Sequence, residues 1–144
     1  MPRLFLSLRN PLMNNRIEDK IRKIAEPLAK QTIEDAHGQC VSVSEKIAAS
    51  LNQAGIPAWH ISCGFYWATS TEMTYDVYLE FAIWLDKNPY KYPNGRINVS
   101  HDWVETTNFI VDGTAAQFTG GEPLRITNLN DKRYDKNSEH RTLV

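Results

Sequence analysis

The chain has 144 residues, a length that fits one domain with a single hydrophobic core, and we expect one domain over residues 1–144. Hydrophobic residues make up 42% and charged residues 23%, values typical of a globular chain, which argues against intrinsic disorder. The 16 basic and 17 acidic side chains nearly cancel, which argues against nucleic acid or an anionic membrane as the main partner.

Targeting signals are weak at the sequence level. The apolar residues near the start are interrupted by Arg3, Arg9 and Pro11 before they reach the length of a signal peptide or a membrane span. We therefore expect no membrane partner and a cytoplasmic protein, although an effector exported by a dedicated machine would carry no signal of this kind.

The first half of the chain predicts helices. Apolar residues recur every three to five positions over 15–36, which is helical spacing, and Pro27 should kink or divide that helix. A second helical pattern starts after Gly38 and should end at Gly55, a residue suited to a left-handed cap, with Pro57 just beyond it.

The second half predicts strands, because the hydrophobic period changes from helical to two. The alternation indicates strands over 58–63, 76–85, 101–105 and 109–112. Residues 119–144 are polar and charged, and we expect a loop or mobile tail there. The predicted fold class is α+β, with N-terminal helices packed on an antiparallel sheet.

The hairpin between the last two strands brings a histidine and an aspartate together. A two-residue loop at 106–107 places Glu105 opposite Asn108 and His101 opposite Asp112, with Cβ atoms of the latter pair about 4.5–5.5 Å apart. That spacing allows a hydrogen bond from the imidazole to the carboxylate, which fixes the histidine tautomer and raises its basicity.

Cys40 stands at the first turn of the second predicted helix, in register with the inward-facing residues Ser44, Ile47 and Leu51. Free amides and the helix dipole at that end favour thiolate over thiol. A helix-borne cysteine followed by a paired histidine and aspartate is the set that nucleophilic thiol catalysis requires.

Four sequence strings resemble the transglutaminase-like and papain-like cysteine enzymes, and the last also resembles small bacterial and phage members of that superfamily. The strings are GQC at 38–40, GIPA at 55–58, HDWVE at 101–105 and DGTAAQF at 112–118. The resemblance covers about residues 38–118, which would form the catalytic core. The chain departs from the usual pattern at Val41, Asp102 and Gly113.

The resemblance implies a papain-like or transglutaminase-like core and acyl transfer at the carboxamide of a protein or peptide. Cys40 would attack as thiolate, His101 would hold and return the proton, and Asp112 would orient the imidazole. The acceptor decides between a peptidase, a glutamine deamidase and a transglutaminase, and no cofactor is implied. For the oxyanion and the substrate we expect the Cys40 backbone amide, with Gln39 and Trp103 as further candidates.

Three alternatives stay open at this level. The pairs His37 with Cys40 and His60 with Cys63 both read H-x-x-C, and together they could supply four ligands to a structural zinc ion. A papain-like fold could also serve binding without turnover. A disulfide between Cys40 and Cys63 would need an oxidising compartment.

Overall fold

The computed structural model describes residues 11–36, 38–69, 96–119 and 122–136. The predicted strand over 76–85 lies outside these residues. The described part is a mixture of helices and antiparallel strands, so the predicted α+β class is confirmed. Its helices are α1 (Pro11–Ala25), α2 (Ile33–Ala36), α3 (Cys40–Gln53) and α4 (Ala116–Thr119). Its strands are β1 (Ala58–Thr69), β2 (Arg96–Thr106), β3 (Phe109–Asp112), β4 (Arg125–Asn128) and β5 (Tyr134–Asp135).

The helical half follows its proline and glycine signals. Helix α1 ends just before a short 3-10 turn, Glu26–Leu28, that contains Pro27, so the predicted division is confirmed. Helix α3 ends at Gln53, and Gly55 follows with a φ of 84°, which a residue without a Cβ adopts at little cost. The backbone N–H of Ile56 closes this cap on the carbonyl of Leu51 at 2.9 Å.

The described strands form one antiparallel sheet in the order β4-β3-β2-β1-β5. The outer strands β4 and β5 both come from the part of the chain that we expected to be a loop or tail after Phe118. That expectation is wrong for these two segments, because β4 pairs with β3 and β5 pairs with β1. Long-range pairing gives them an order that their polar composition does not indicate.

The β2–β3 hairpin has a register that differs by two residues from the predicted one. Glu105 pairs with Ile110 rather than with Asn108, and residues 107–108 form the turn. The hydroxyl of Thr106 fixes this turn by accepting the backbone N–H of Phe109 at 3.1 Å. Since side chains alternate with a period of two, the shift leaves His101 and Asp112 on the same face.

Helix α3 packs its inner face against the sheet and brings its N-terminus to the middle of β2 and the end of β3. Its buried residues include Val43 and Ile47. A Cβ on Gly113, directly after β3, would lie 2.5 Å from the Ile47 side chain and 2.6 Å from the Val43 side chain. Glycine at this position therefore allows the close approach between helix and sheet. Among the described helices, none is long and apolar enough to span a membrane.

Candidate active site

Cys40 begins helix α3, as the sequence predicts, and its side chain is partly buried. The first backbone N–H groups of a helix have no partner within the helix, and the macrodipole places partial positive charge there. The preceding residue, Gln39, is exposed, and its side chain makes no capping hydrogen bond. The thiol thus lies at the end of the helix that favours negative charge.

His101 lies in β2 with only 1% of its side chain exposed. Its Nε2–H donates to the Asp112 carboxylate at 2.9 Å. The ring nitrogen that remains, Nδ1, is left to interact with Cys40, whose side chain is hydrogen-bonded to His101. The structure therefore brings the three predicted residues together in the order Cys40, His101, Asp112.

Aromatic side chains surround the imidazole. Phe118 meets it edge to face with ring centroids 4.8 Å apart, and the fully buried Trp103 lies beside it at 6.1 Å. Gly64 on the neighbouring strand makes room for Trp103, because a Cβ there would lie 2.3 Å from the indole. Trp103 therefore shields His101 from solvent.

The Asp112 carboxylate is completely buried and accepts hydrogen bonds on both oxygens. Besides His101, Oδ2 accepts the hydroxyl of Tyr134 at 2.7 Å, while Oδ1 accepts the backbone N–H of Thr114 at 3.0 Å and its hydroxyl at 3.3 Å. Burial alone would raise the pKa of Asp112, but the His101 charge and these donors hold it below the usual value. Asp112 is thereby kept ionised beside the imidazole.

Two opposing effects set the protonation of the cysteine and histidine. Burial disfavours the charged form of His101, yet Asp112 and Cys40 together raise its pKa to about 9. Burial would also raise the pKa of Cys40, but the hydrogen bonds from His101 and from the backbone N–H of Asp102 lower it below its ordinary value. The raised pKa of His101 and the lowered pKa of Cys40 both favour a thiolate–imidazolium pair.

Buried polar side chains beyond His101 and Thr114 help to fix Asp112. Arg125, on β4 and paired with Asp112 in the sheet register, donates to the hydroxyl of Tyr66 at 2.7 Å and to that of Tyr134 at 3.2 Å. Its guanidinium Nε–H also bonds Glu122 at 3.1 Å. The chain of contacts runs from Arg125 through Tyr134 to Asp112, which fixes the carboxylate in place.

Sequence reasoning missed Tyr134 and Arg125 because both lie in the segment taken for a polar tail. A signal was present: the run Arg125–Asn128 has a β-branched centre and precedes a turn that carries Asn130 and Asp131. That pattern is typical of a strand followed by a turn. The partner strands lie too far away in sequence for a local pattern to name them.

A second histidine–aspartate pair lies next to the first. His60 Nε2–H donates to Asp102 Oδ2 at 2.6 Å, and the backbone N–H of Cys63 donates to Asp102 Oδ1 at 3.1 Å. The pair is less buried than His101 and Asp112, with 21% of the His60 side chain and 7% of the Asp102 side chain exposed. Sequence reasoning did not pair His60 with Asp102.

The residues of the alternative zinc site have other partners here. His60 is bonded to Asp102 and Cys40 to His101, while His37 lies outside the described residues. Within the described ranges, no group of three or more His, Cys, Asp and Glu side chains is arranged to hold a metal ion. Both cysteines belong to the described part of the chain and both are free thiols, so the alternative disulfide is wrong.

Comparisons with known proteins identify no family: no family model, no curated protein and no solved structure matches the chain. The resemblance to transglutaminase-like and papain-like enzymes therefore stays a prediction. The geometry of Cys40, His101 and Asp112 is what indicates a function for this protein.

Proposed function

We propose that the protein is a cysteine-dependent acyl-transfer hydrolase that acts on a carboxamide of a protein or peptide. The observation that carries the proposal is the buried hydrogen-bonded chain from Asp112 through His101 to a partly buried Cys40 at a helix N-terminus. A nucleophile, a base within hydrogen-bond reach and a third group that orients the base together define covalent catalysis by a thiol.

In the proposed reaction, the Cys40 thiolate attacks the carbonyl carbon of the carboxamide. The C–N bond then breaks, and the leaving nitrogen takes the proton held on His101, which leaves an acyl thioester on Cys40. In the second half, His101 accepts a proton from water as the water attacks the thioester. The C–S bond breaks, the acid product leaves, and the thiolate–imidazolium pair is restored.

The oxyanion that forms during attack needs hydrogen-bond donors. The backbone N–H of Cys40 belongs to the first turn of α3 and supports this role, because such amides have no acceptor within the helix. Gln39 precedes it on the exposed surface at the helix start, beside the same amide. A papain-like or transglutaminase-like core, with the cysteine on a helix and its partners on sheet strands, is part of the proposal.

The acyl acceptor and the carboxamide attacked determine which type of enzyme this would be. Water acting on a peptide bond gives a peptidase, water acting on a glutamine side chain gives a deamidase, and a lysine amine gives a transglutaminase. Of these reactions we propose hydrolysis, with water as the acyl acceptor.

The thiol chemistry is tested by iodoacetamide labelling near neutral pH, with each cysteine followed separately by mass spectrometry of its peptide. We expect Cys40 to react much faster than Cys63, and Cys40→Ala to abolish the fast phase. Cys63→Ala is the matched control and should leave the fast phase intact. Slow and equal labelling of the two cysteines would contradict a catalytic thiolate.

The reaction is tested by mass spectrometry of cellular proteins after exposure to wild-type protein or to Cys40→Ala. New peptide termini indicate a peptidase, conversion of glutamine to glutamate indicates a deamidase, and glutamine–lysine cross-links indicate a transglutaminase. Identical proteomes in the two samples, together with fast labelling of Cys40, would instead favour a binding protein that keeps its triad without turnover.

A further inference from the structure

Strand β1 contains a bulge opposite Asp102. In the pairing with β2, Ile61 lies opposite Trp103 and Gly64 lies opposite His101. The two intervening residues of β1, including Cys63, therefore face Asp102 alone. A β-bulge of this kind leaves part of the ladder unpaired and re-aims the groups beside it.

The bulge is held in a conformation that its sequence does not favour. Cys63 has a φ of 61°, a left-handed backbone that non-glycine residues rarely adopt. The Asp102 carboxylate accepts two hydrogen bonds here, from His60 just before the bulge at 2.6 Å and from the backbone N–H of Cys63 within it at 3.1 Å. Strained backbone persists where surrounding contacts over-determine it, and here the carboxylate supplies those contacts.

The backbone of Asp102 has a contact separate from that of its carboxylate. Asp102 has no Cα partner in the β1–β2 register, and β2 pairs with β3 at Val104 and Glu105, further along the strand. The backbone N–H of Asp102 instead donates to the Cys40 side chain. One residue thus contacts the bulge through its carboxylate and the thiol through its amide.

We infer that Asp102 is a positioning residue whose carboxylate fixes the β1 bulge and thereby directs its own backbone N–H at the sulfur of Cys40. The inference rests on the proposed function for its relevance to catalysis.

The alternative role for Asp102 is that of a simple charge beside the thiolate, and the two roles have opposite signs. A nearby carboxylate disfavours the thiolate, so removal of the charge alone lowers the pKa of Cys40. Loss of a directed N–H donor removes stabilisation of the thiolate and raises that pKa. The thiol pKa therefore separates positioning from charge.

The test titrates the Cys40 thiolate by ultraviolet absorbance in a Cys63→Gly background, where Cys40 is the remaining thiol and glycine suits the left-handed φ. Asp102→Asn keeps an acceptor for the Cys63 N–H and removes the charge, so we expect the Cys40 pKa to fall. Asp102→Ala removes both the charge and the hydrogen bonds of the carboxylate to the bulge, and we expect the pKa to rise by about one unit, a ten-fold weaker acid. A fall in the Asp102→Ala protein would overturn the inference.

A second measurement needs no change at Asp102. In the folded Cys63→Gly protein, the NMR shift of the Asp102 amide proton should move with the same midpoint as the thiolate absorbance, and Cys40→Ser should shift that midpoint or remove the change. An amide shift that ignores the thiol would overturn the inference even if Asp102→Ala fails to fold. Both readouts are independent of turnover, so an inactive protein with the expected pKa changes would refute the proposed function and leave the positioning role intact.

Discussion

The two histidine–aspartate pairs each include one of two consecutive residues of β2, His101 and Asp102. Both pairs are joined by a hydrogen bond, but their surroundings differ. His60 and Asp102 are joined at 2.6 Å, a shorter distance than the 2.9 Å between His101 and Asp112. Yet the shorter pair is the more exposed one, since 21% of the His60 side chain reaches solvent against 1% for His101. Bond length therefore does not decide which pair is suited to catalysis.

Burial and the remaining partners decide it instead. The Asp112 carboxylate is held by three further hydrogen bonds, from Tyr134 and Thr114, and can support a charged imidazole that is almost fully buried. The Asp102 carboxylate divides its oxygens between a side chain and the backbone of a bulge. The contacts of the first pair suit a protonated imidazole. Those of the second pair suit a role in fixing the backbone of the bulge.

Removing the histidine of each pair in turn compares the two pairs most directly. His101→Ala removes the hydrogen bond and charge that lower the Cys40 pKa, while burial still raises it, so labelling of Cys40 by iodoacetamide at neutral pH should slow on the order of 10- to 100-fold. His60→Ala leaves Asp102 bonded to the Cys63 N–H and should slow labelling by about three-fold or less.

Unfolding midpoints of both variants provide the control for these rates, because an unfolded protein also changes its labelling. The ratio of the two effects is the informative quantity. Equal losses for His101→Ala and His60→Ala in folded proteins would remove the functional distinction between the pairs.

The pH dependence of activity should report the buried pair. The thiolate–imidazolium state exists above the lowered pKa of Cys40 and below the His101 pKa of about 9, so turnover should fall as pH rises through about 9. Asp112→Asn removes the largest contribution that raises the His101 pKa, and the alkaline limit should move towards the ordinary 6.5. Turnover at neutral pH should fall on the order of 10²–10⁴-fold.

His101 can be followed directly by the NMR titration of its ring protons in both proteins. A His101 pKa near 6.5 in the wild-type protein would contradict the role given to Asp112. Asp102→Asn is the matched control and should leave the alkaline limit of turnover near about 9, because Asp102 is not among the groups that raise the His101 pKa.

Local signals explain how much of the site could be predicted from the sequence. Pro27 and Gly55 act on their own backbone, so the division of the first helix and the end of α3 follow from residue type. His101 and Asp112 were placed on one face although the predicted hairpin register was off by two residues, because a two-residue shift preserves the face.

The rest of the site depends on contacts between distant parts of the chain. Tyr134 reaches Asp112 because β5 pairs with β1 on the far side of the sheet, and nothing near Tyr134 in the sequence specifies that pairing. In the bulge it is Cys63, and not the adjacent Gly64, that takes the left-handed φ, so residue type does not indicate the conformation. It is stabilised by Asp102, which is remote in sequence, so periodicity alone predicts a regular strand there.

A smaller effect tests the polar support of the buried pair. Tyr134→Phe removes a donor to Asp112 and an acceptor for Arg125, which should lower the free energy of unfolding by about 1–3 kcal/mol and raise the Asp112 pKa. Tyr66→Phe is the matched variant, since the Tyr66 hydroxyl also accepts a hydrogen bond from Arg125. It should destabilise the protein but leave the Asp112 pKa, followed by NMR of its carboxyl carbon, unchanged, and equal shifts in both variants would contradict a direct role of Tyr134.

The smallest effect should come from substitutions at Cys63, in the bulge that the exposed pair contacts. At its φ of 61°, the Cys63 backbone costs roughly 1–2 kcal/mol that glycine avoids, while glycine loses about 0.5–1 kcal/mol through unfolded-chain entropy. Cys63→Gly should therefore raise the free energy of unfolding in urea by less than about 1 kcal/mol. Cys63→Val, β-branched and unsuited to positive φ, should lower it by about 1 kcal/mol or more. If valine were tolerated as well as glycine, the left-handed backbone at Cys63 would be absent. Asp102 would then have no strained bulge to fix.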